Sequence, residues 1–123
     1  MQAKRIDRVN QLLKEEISGL LQRELKDPRI GFATITEVDV SKDLHHAKVF
    51  VSILGSEEEW RLTLEALERA SGFIRNWLRQ NLRLRYIPDL AFRPDRSMAH
   101  AAHIQQLLAE LRAREQGEGS TSP

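Results

Sequence analysis

The N-terminal part of the chain carries hydrophobic residues at steps of three and four, the pattern of one face of an amphipathic helix. This segment runs from Arg5 to Leu25. Lys26-Asp27-Pro28 is predicted to end it, because the residue before a proline disfavours the helical conformation. The apolar face consists of Ile6, Val9, Leu13, Ile17, Leu20 or Leu21, and Leu25.

The pattern then changes to a period of two, which is typical of strands. Residues 32–40 alternate between two faces, and residues 47–54 are rich in β-branched and aromatic side chains. The polar segment Ser41-Lys42-Asp43 lies between them, so we predict a hairpin. A third short strand within residues 86–94 is flanked by two prolines, which favours a sheet edge. The first strand is predicted to place Phe32, Thr34, Thr36, Val38 and Val40 on one side.

A second helical period begins after a capping box formed by Ser56 and Glu59. Without interruption, residues 60–84 would form a helix of roughly 37 Å, whereas a domain of this size has a radius of gyration of about 14 Å. We therefore predict a kink at Ala70-Ser71-Gly72 that separates two helices. Their apolar positions are Trp60, Leu64, Leu67, Ile74, Leu78 and Leu82.

A final helix is predicted from Ser97 through Leu111, with Ile104, Leu108 and Leu111 facing inward. After it the composition changes to Gly, Ser, Thr, Pro and Glu, which offers little to bury. We predict one folded domain over residues 1–112 and a disordered tail over residues 113–123.

Length and composition exclude several classes of protein. A chain of 123 residues accommodates one domain and excludes a two-domain enzyme. It has no cysteine, so disulfides, a thiol nucleophile and cysteine metal ligands are excluded. The N-terminus lacks the apolar core of a signal peptide, and the longest apolar stretch is too short to cross a bilayer. We expect a cytoplasmic protein with no membrane partner.

The formal net charge of +1 hides a segregation of charge along the chain. Residues 30–60 hold two basic and six acidic side chains, whereas residues 61–96 hold eight basic and four acidic ones. All eight basic residues of the second block are arginine, whose planar fork suits phosphate and whose face stacks on bases. This distribution is compatible with a one-sided basic surface and equally with charged side chains that only solvate helix faces.

The sequence matches none of the common motifs of catalytic sites. The chain has no Gly-x-Ser-x-Gly elbow, no P-loop and no His-Glu-x-x-His motif. His45 and His46 are predicted at a turn, and His100 and His103 lie three apart on a helix without a carboxylate at ligand spacing. We therefore predict a protein that is not an enzyme and that uses neither a cofactor nor a metal.

The predicted kink is the more informative feature. A helix that starts after Gly72 would expose backbone N–H groups and the positive end of its dipole to a phosphate. Arg75, Arg79 and Arg83 would follow as a stripe at four-residue spacing. Trp60, Phe73, Trp77 and Phe92 are predicted to belong to the core. The predicted RNA contacts are Arg69, Ser71, Gly72, Arg75, Arg79, Arg83 and Arg85, with Lys4, Arg5 and Arg8 as secondary candidates.

At these residues the sequence resembles the bacterial ribosome-binding factor A family. The resemblance covers roughly residues 4–111. It rests on Arg5 to Val9, Lys26-Asp27-Pro28-Arg29-Ile30-Gly31, Asp43-Leu44 with Ala47 to Ser52, Ala70-Ser71-Gly72-Phe73-Ile74-Arg75, and Pro88 to Ser97.

The resemblance implies an α+β fold, a type II KH-like domain in which a three-stranded mixed sheet packs on helices. The family has an Ala-x-Gly kink between helices, matched here by Ala70-Ser71-Gly72. It implies a non-enzymatic assembly factor, which binds the immature small (30S) ribosomal subunit and 16S rRNA or its precursor. Maturation of the 16S rRNA 5′ end, growth in the cold, ribosome-assembly GTPases as further partners and a monomeric state are also expected. Ala99 and Ala101 depart from the acidic residue and glycine common in the family.

Two other hypotheses remain open at the level of sequence. The protein could be an adaptor that docks a protein partner through its helical surface or its acidic segment, residues 30–60. It could also be a metal-dependent hydrolase that uses His100 and His103, which we rank last. Resistance of partner binding to nuclease would indicate the adaptor, and bound metal on elemental analysis would indicate the hydrolase.

Overall fold

The computed structural model describes residues 2–23, 30 and 33–121, and it places them in three helices and one sheet. The sheet has the order β1-β2-β3, with β1 antiparallel and β3 parallel to the central strand β2. This confirms the predicted α+β fold with a mixed sheet. Leu25, the helix stop at residues 26–28, and Phe32 lie outside the described residues. The elements are α1 (Gln2–Arg23), β1 (Ala33–Val40), β2 (His46–Ile53), α2 (Glu57–Asn81), β3 (Asp89–Pro94) and α3 (Ser97–Thr121).

The core lies between the sheet and two helices, with α1 packed on β1 and α2 packed on β3. The Val40 amide also donates to Asn10 Oδ1 at 2.8 Å, which ties the end of β1 to α1. Burial of each large aliphatic side chain contributes about 1.5–3 kcal/mol, so these two helices are held mainly by their apolar faces. The residues with no exposed surface include Leu13, Ile17, Leu20, Val49, Val51, Leu67, Ile74 and Leu78.

Strand β1 does not alternate without interruption. A β-bulge between Ile35 and Glu37 shifts its register against β2, so that Ile35, Val38 and Val40 are all buried. One extra residue in a strand exchanges the two faces beyond it. The predicted placement of Thr34 and Thr36 on the same side as Val38 was therefore wrong.

Helix α2 is continuous through Ala70, Ser71 and Gly72. The predicted division into two helices was wrong, because the domain is wide enough for one unbroken helix of this length. A compact body with a radius of gyration of roughly 14 Å is about 36 Å across, which is close to the length of the whole helix, roughly 37 Å. Gly72 costs about 1 kcal/mol relative to alanine, which burial of Leu67, Ile74 and Leu78 outweighs.

Helix α3 extends to Thr121 rather than ending near Leu111. Its predicted inward residues are exposed, with Ile104 at 43%, Leu108 at 45% and Leu111 at 52% of their full surface. The inward placement was wrong, whereas the division into a domain over residues 1–112 and a tail over residues 113–123 stays a prediction. Ala, Leu, Glu, Gln and Arg dominate α3 as far as residue 116, and their helix propensity favours helix without burial.

The start of α3 is held by the residues before it. Asp95 accepts hydrogen bonds from the Ser97 amide at 2.9 Å and from Thr36 Oγ1 at 2.6 Å. The Arg96 guanidinium lies 4.4 Å from the ring centre of Trp60 and donates two hydrogen bonds to Glu57. These contacts join α3 to β1 and to the first turn of α2.

Candidate nucleic-acid interface

One face of α2 points to solvent and carries two arginines. Arg69, Gly72, Asn76 and Arg79 follow one another at helical spacing, and all four are exposed. We call these four residues the outer face of α2. Neither arginine forms an ion pair or hydrogen bond with any residue the structure describes, and about 15 Å of helix axis separates them at the usual rise.

Gly72 leaves the middle of the outer face open. A Cβ added there would meet no atom within 4 Å, so neither packing nor backbone geometry requires glycine. The open space allows a polyanion backbone to approach the helix between the two arginines. Ser71, by contrast, is partly buried, and because α2 does not restart at Phe73, the predicted phosphate site at a helix N-terminus is not present.

Arg75 faces the loop that follows α2. Its Nε and Nη2 donate to the carbonyl oxygens of Pro88 and Ile87, at 3.2 and 3.3 Å, and its Nη1 lies 3.1 Å from Asp89 Oδ1. The arginine thus joins the helix to the start of β3. This structural role was not predicted from the sequence, because the partners follow twelve to fourteen residues later.

The predicted arginine stripe ends at Arg79. Helix α2 stops at Asn81, where the Leu82 amide still donates to the Leu78 carbonyl, so Arg83 lies in the loop between α2 and β3. The prediction of a helical stripe through Arg83 was wrong. Arg83 and Arg85 are nevertheless exposed, and the loop brings Arg85 toward α1.

Arg5 and Arg85 line one small cavity of about 50 Å³ between the first turns of α1 and the loop before β3. Its remaining walls are mostly apolar, so the two guanidinium groups are the cationic part of the lining. Lys4 and Arg8 are exposed on the same end of α1. The other lining residues are Val9, Val40, Leu44, Leu84, Tyr86 and Pro88.

Two exposed aromatic residues were not anticipated. Phe73 is 51% exposed on α2 and its prediction as a core residue was wrong, whereas Trp60 and Phe92 are buried. Tyr86 is 49% exposed in the loop, with the His45 ring 5.2 Å away and the Arg85 guanidinium 5.6 Å from its ring centre. The one available sequence signal was the position of Tyr86 directly after Arg85 and three residues after Arg83.

A larger cavity of about 370 Å³ lies on the side of the sheet opposite α1 and α2. Its walls combine Lys48 and Arg93 with Asp39 and Asp89. Mixed charge of this kind does not favour a phosphate backbone, so this cavity is a weaker candidate for nucleic acid than the outer face of α2.

His100 and His103 are exposed on α3. Among the described residues, no group of three or more His, Cys, Asp or Glu side chains is arranged to hold a metal ion. No helix in the described part of the chain combines the length and apolar character needed to span a membrane.

The fold is a small α+β domain with a three-stranded mixed sheet, and its exposed arginines on α2 and the following loop are candidate contacts for nucleic acid. Comparison with known families is specific: the family model described as Ribosome-binding factor A matches residues 5–108. The chain belongs to the ribosome-binding factor A family.

Relatives and known structures agree with this assignment. The ribosome-binding factor A of Halothermothrix orenii is 46% identical over 118 residues, which cover 96% of this chain and 97% of that one. That of Natranaerobius thermophilus is 49% identical over 111 residues, 90% of this chain and 85% of that one.

Two known structures share the fold. The crystal structure of ribosome-binding factor A from Thermus thermophilus matches with a TM-score of 0.67 and 32% identity, over 75% of this chain and 98% of that one. A homology model of the Thermus thermophilus factor, fitted into the cryo-EM map of its complex with 30S, matches with a TM-score of 0.59 and 33% identity, over 71% and 91% of the two chains.

Proposed function

We propose that this protein binds the immature small ribosomal subunit through phosphates of 16S rRNA or its precursor. The observation that carries the proposal is the outer face of α2, where Arg69 and Arg79 stand exposed on either side of the open position at Gly72. The fitted complex of the Thermus thermophilus factor with 30S supports the same partner. Arg83 and Arg85, with Lys4, Arg5 and Arg8, supply a second group of cations.

A salt series with matched arginine variants tests this proposal. The double variant Arg69→Ala/Arg79→Ala removes two cations from the outer face, and Arg61→Ala is the control because Arg61 is paired with Glu58 and Glu65 on the same helix. Each lost phosphate contact reduces the slope of log affinity against log salt by about 0.7–0.9. For the double variant we expect the magnitude of this slope to fall by about 1.5.

The control separates a specific contact from a general loss of charge. Arg61→Ala is expected to leave the slope of subunit binding within error of the unsubstituted protein, because its guanidinium is already neutralised by two carboxylates. If the double variant and Arg61→Ala have the same affinity and slope, the outer face does not contact rRNA.

We infer that the bound domain promotes maturation of the 16S rRNA 5′ end without performing chemistry. A protein that holds one rRNA conformation shifts the population toward it, by an amount limited to its difference in affinity between the two conformations. Depletion is then expected to accumulate precursor 16S rRNA, most strongly in the cold. Cleavage of precursor rRNA by the purified protein alone would contradict this mechanism.

A second candidate function is favoured by α3. Its exposed Ile104, Leu107, Leu108 and Leu111 form an apolar strip that suits a protein-interaction adaptor, with ribosome-assembly GTPases among the candidate partners. Nuclease treatment distinguishes the two functions, since an adaptor keeps its partners after RNA is digested. We propose that the protein is a monomer when free, which sedimentation equilibrium tests.

A further inference from the structure

The loop between α2 and β3 presents an aromatic ring beside two cations. Tyr86 is half exposed, the His45 ring leans on it at an angle of 48°, and the Arg85 guanidinium lies 5.6 Å from its centre. Arg5 faces the same cavity from α1. We call Arg5, His45, Arg85 and Tyr86 the Tyr86 cluster.

The cluster is held in place by contacts on both sides. Arg75 fixes the loop through the carbonyl oxygens of Ile87 and Pro88, and the Asp89 amide donates to the His45 carbonyl at 2.8 Å. Both contacts lie just after Tyr86, where the loop leads into β3, so the exposed ring stands beside a fixed segment, which reduces the entropy lost on binding.

The turn that carries His45 is also fixed. Asp43 accepts hydrogen bonds from Ser41 Oγ at 2.6 Å and from the His45 amide at 3.0 Å, and these bonds hold the pKa of its carboxyl below the usual value. Leu44 adopts a φ of 65°, a region that costs a residue with a branched side chain of order 1–3 kcal/mol. That conformation places Leu44 in the wall of the cavity and His45 against Tyr86.

We propose that the Tyr86 cluster binds a single unpaired rRNA nucleotide, with its base stacked on Tyr86 and its phosphate between Arg5 and Arg85. An aromatic face suits any base, and two guanidinium groups without an acidic partner among the described residues suit a phosphate. The cavity of about 50 Å³ is too small to enclose a base, so it receives one edge of the nucleotide. This inference rests on the proposed function and adds a contact outside the outer face of α2.

A ring-specific substitution tests the proposal. Tyr86→Leu keeps an apolar side chain but removes the stacking surface, and it is expected to weaken binding to immature small subunits by about 5- to 150-fold, the range typical of one lost base stack. Tyr86→Phe keeps the ring and is expected to bind as the unsubstituted protein does. Phe73→Leu is the matched control for an exposed aromatic residue elsewhere.

Charge and stacking are separated by salt dependence. Tyr86→Leu removes no charge, so the slope of log affinity against log salt is expected to stay constant while affinity falls. Arg5→Ala/Arg85→Ala is expected to reduce both. Thermal unfolding of each variant verifies that the half-exposed residue was replaced without loss of the fold.

A second probe identifies the base as the ligand. Binding to a single-stranded RNA decamer should be weakened by Tyr86→Leu, whereas binding to an abasic ribose-phosphate decamer should be unchanged. Equal effects of Tyr86→Leu on both decamers, or no effect on subunit binding, would overturn the proposal.

The outcomes also separate this proposal from the proposed function. If Arg69→Ala/Arg79→Ala weakens subunit binding and Tyr86→Leu does not, only the nucleotide site is refuted. If the unsubstituted protein does not bind small subunits, both proposals fail. If Tyr86→Leu abolishes binding to a protein partner that survives nuclease, the cluster is a protein contact and the nucleotide assignment is wrong.

Discussion

Gly72 occupies an exposed helical position where a methyl group would meet nothing within 4 Å. Gly72→Ala is expected to stabilise the protein by up to about 1 kcal/mol, because alanine loses less backbone entropy in a helix. At this chain length the unfolding temperature should rise by about 3–6 °C. The same methyl group would occupy the space left for rRNA, so affinity for the small subunit should fall. Thermal unfolding and subunit binding measure the two effects.

Opposite signs of the two effects are the informative result for Gly72. If the fold required this glycine, its substitution would destabilise the protein. If the glycine instead leaves room for a close external contact, its substitution stabilises the protein. Unchanged subunit affinity in a stabilised Gly72→Ala variant would exclude a close approach of rRNA at this position.

The Arg75 side chain binds the loop between α2 and β3. Arg75→Ala is expected to destabilise the fold by about 1–2 kcal/mol, since the carbonyl oxygens of Ile87 and Pro88 lose their donors. Because this arginine positions Tyr86 and is not counted among the phosphate contacts, the salt slope of subunit binding should stay constant in the variant. A slope reduced by about 0.7–0.9 would instead show that Arg75 itself neutralises a phosphate.

At the scale of the elements, the junction between β1 and α3 depends on an ionised carboxylate. Hydrogen bonds from Ser97 and Thr36 lower the pKa of Asp95 below its ordinary value of 3.8. A carboxyl whose pKa is lower in the folded state stabilises the fold above the unfolded-state value and loses that contribution as the pH falls through the folded-state value. The junction is therefore expected to weaken below about pH 3.8.

Asp95→Asn tests this pH dependence. The variant should be less stable than the unsubstituted protein at pH 7, and the difference in free energy of unfolding should shrink as the pH falls below 3.8. Thr36→Val removes one of the two side-chain donors and should give a smaller difference in the same direction. A difference that is independent of pH would show that Asp95 is not the titrating group.

The elements themselves were predictable because each depends on neighbours in sequence. Hydrophobic periods locate α1, α2 and the strands, and the Ser56 side chain accepts from the Glu59 amide as the capping box requires. The bulge at Ile35 to Glu37 was not predictable, because it is expressed only in pairing with β2.

The candidate site was predictable only in part, for the same reason. Helical spacing alone brings Arg69, Gly72 and Arg79 onto one face. In contrast, the Arg75 contacts and the meeting of Tyr86 with His45 join residues far apart in the chain, and no local pattern reports them. The continuity of α2 was decided by its packing on the sheet, which outweighed the local cost of Gly72.

At the scale of the whole molecule, α3 contributes little to the core. Every α3 side chain described from Met98 to Gln116 is exposed. Truncation after Ser97 is therefore expected to change the unfolding temperature by less than about 2 °C, since surface residues far from packed features contribute little. Thermal unfolding of the truncated and full chains measures this.

A second variant that ends three residues earlier provides the control. Ending the chain at Pro94 also removes Asp95 and Arg96, which contact Thr36, Glu57 and Trp60. That truncation should lower the unfolding temperature clearly more than the first. Equal losses in both would show that the projecting part of α3 packs on the body of the protein.

The bond of Arg75 to the loop has a consequence for recognition. It makes α2 and the following loop one stiff frame, so the outer face of α2 and the Tyr86 cluster sit at a set separation. A flexible tether would let the two contacts form on many rRNA shapes, whereas a stiff frame engages both only where phosphates and an unpaired base stand at the matching distance. The domain would then discriminate between precursor conformations by distance. It would bind tightly those that fit its span and release the RNA once refolding changes that distance.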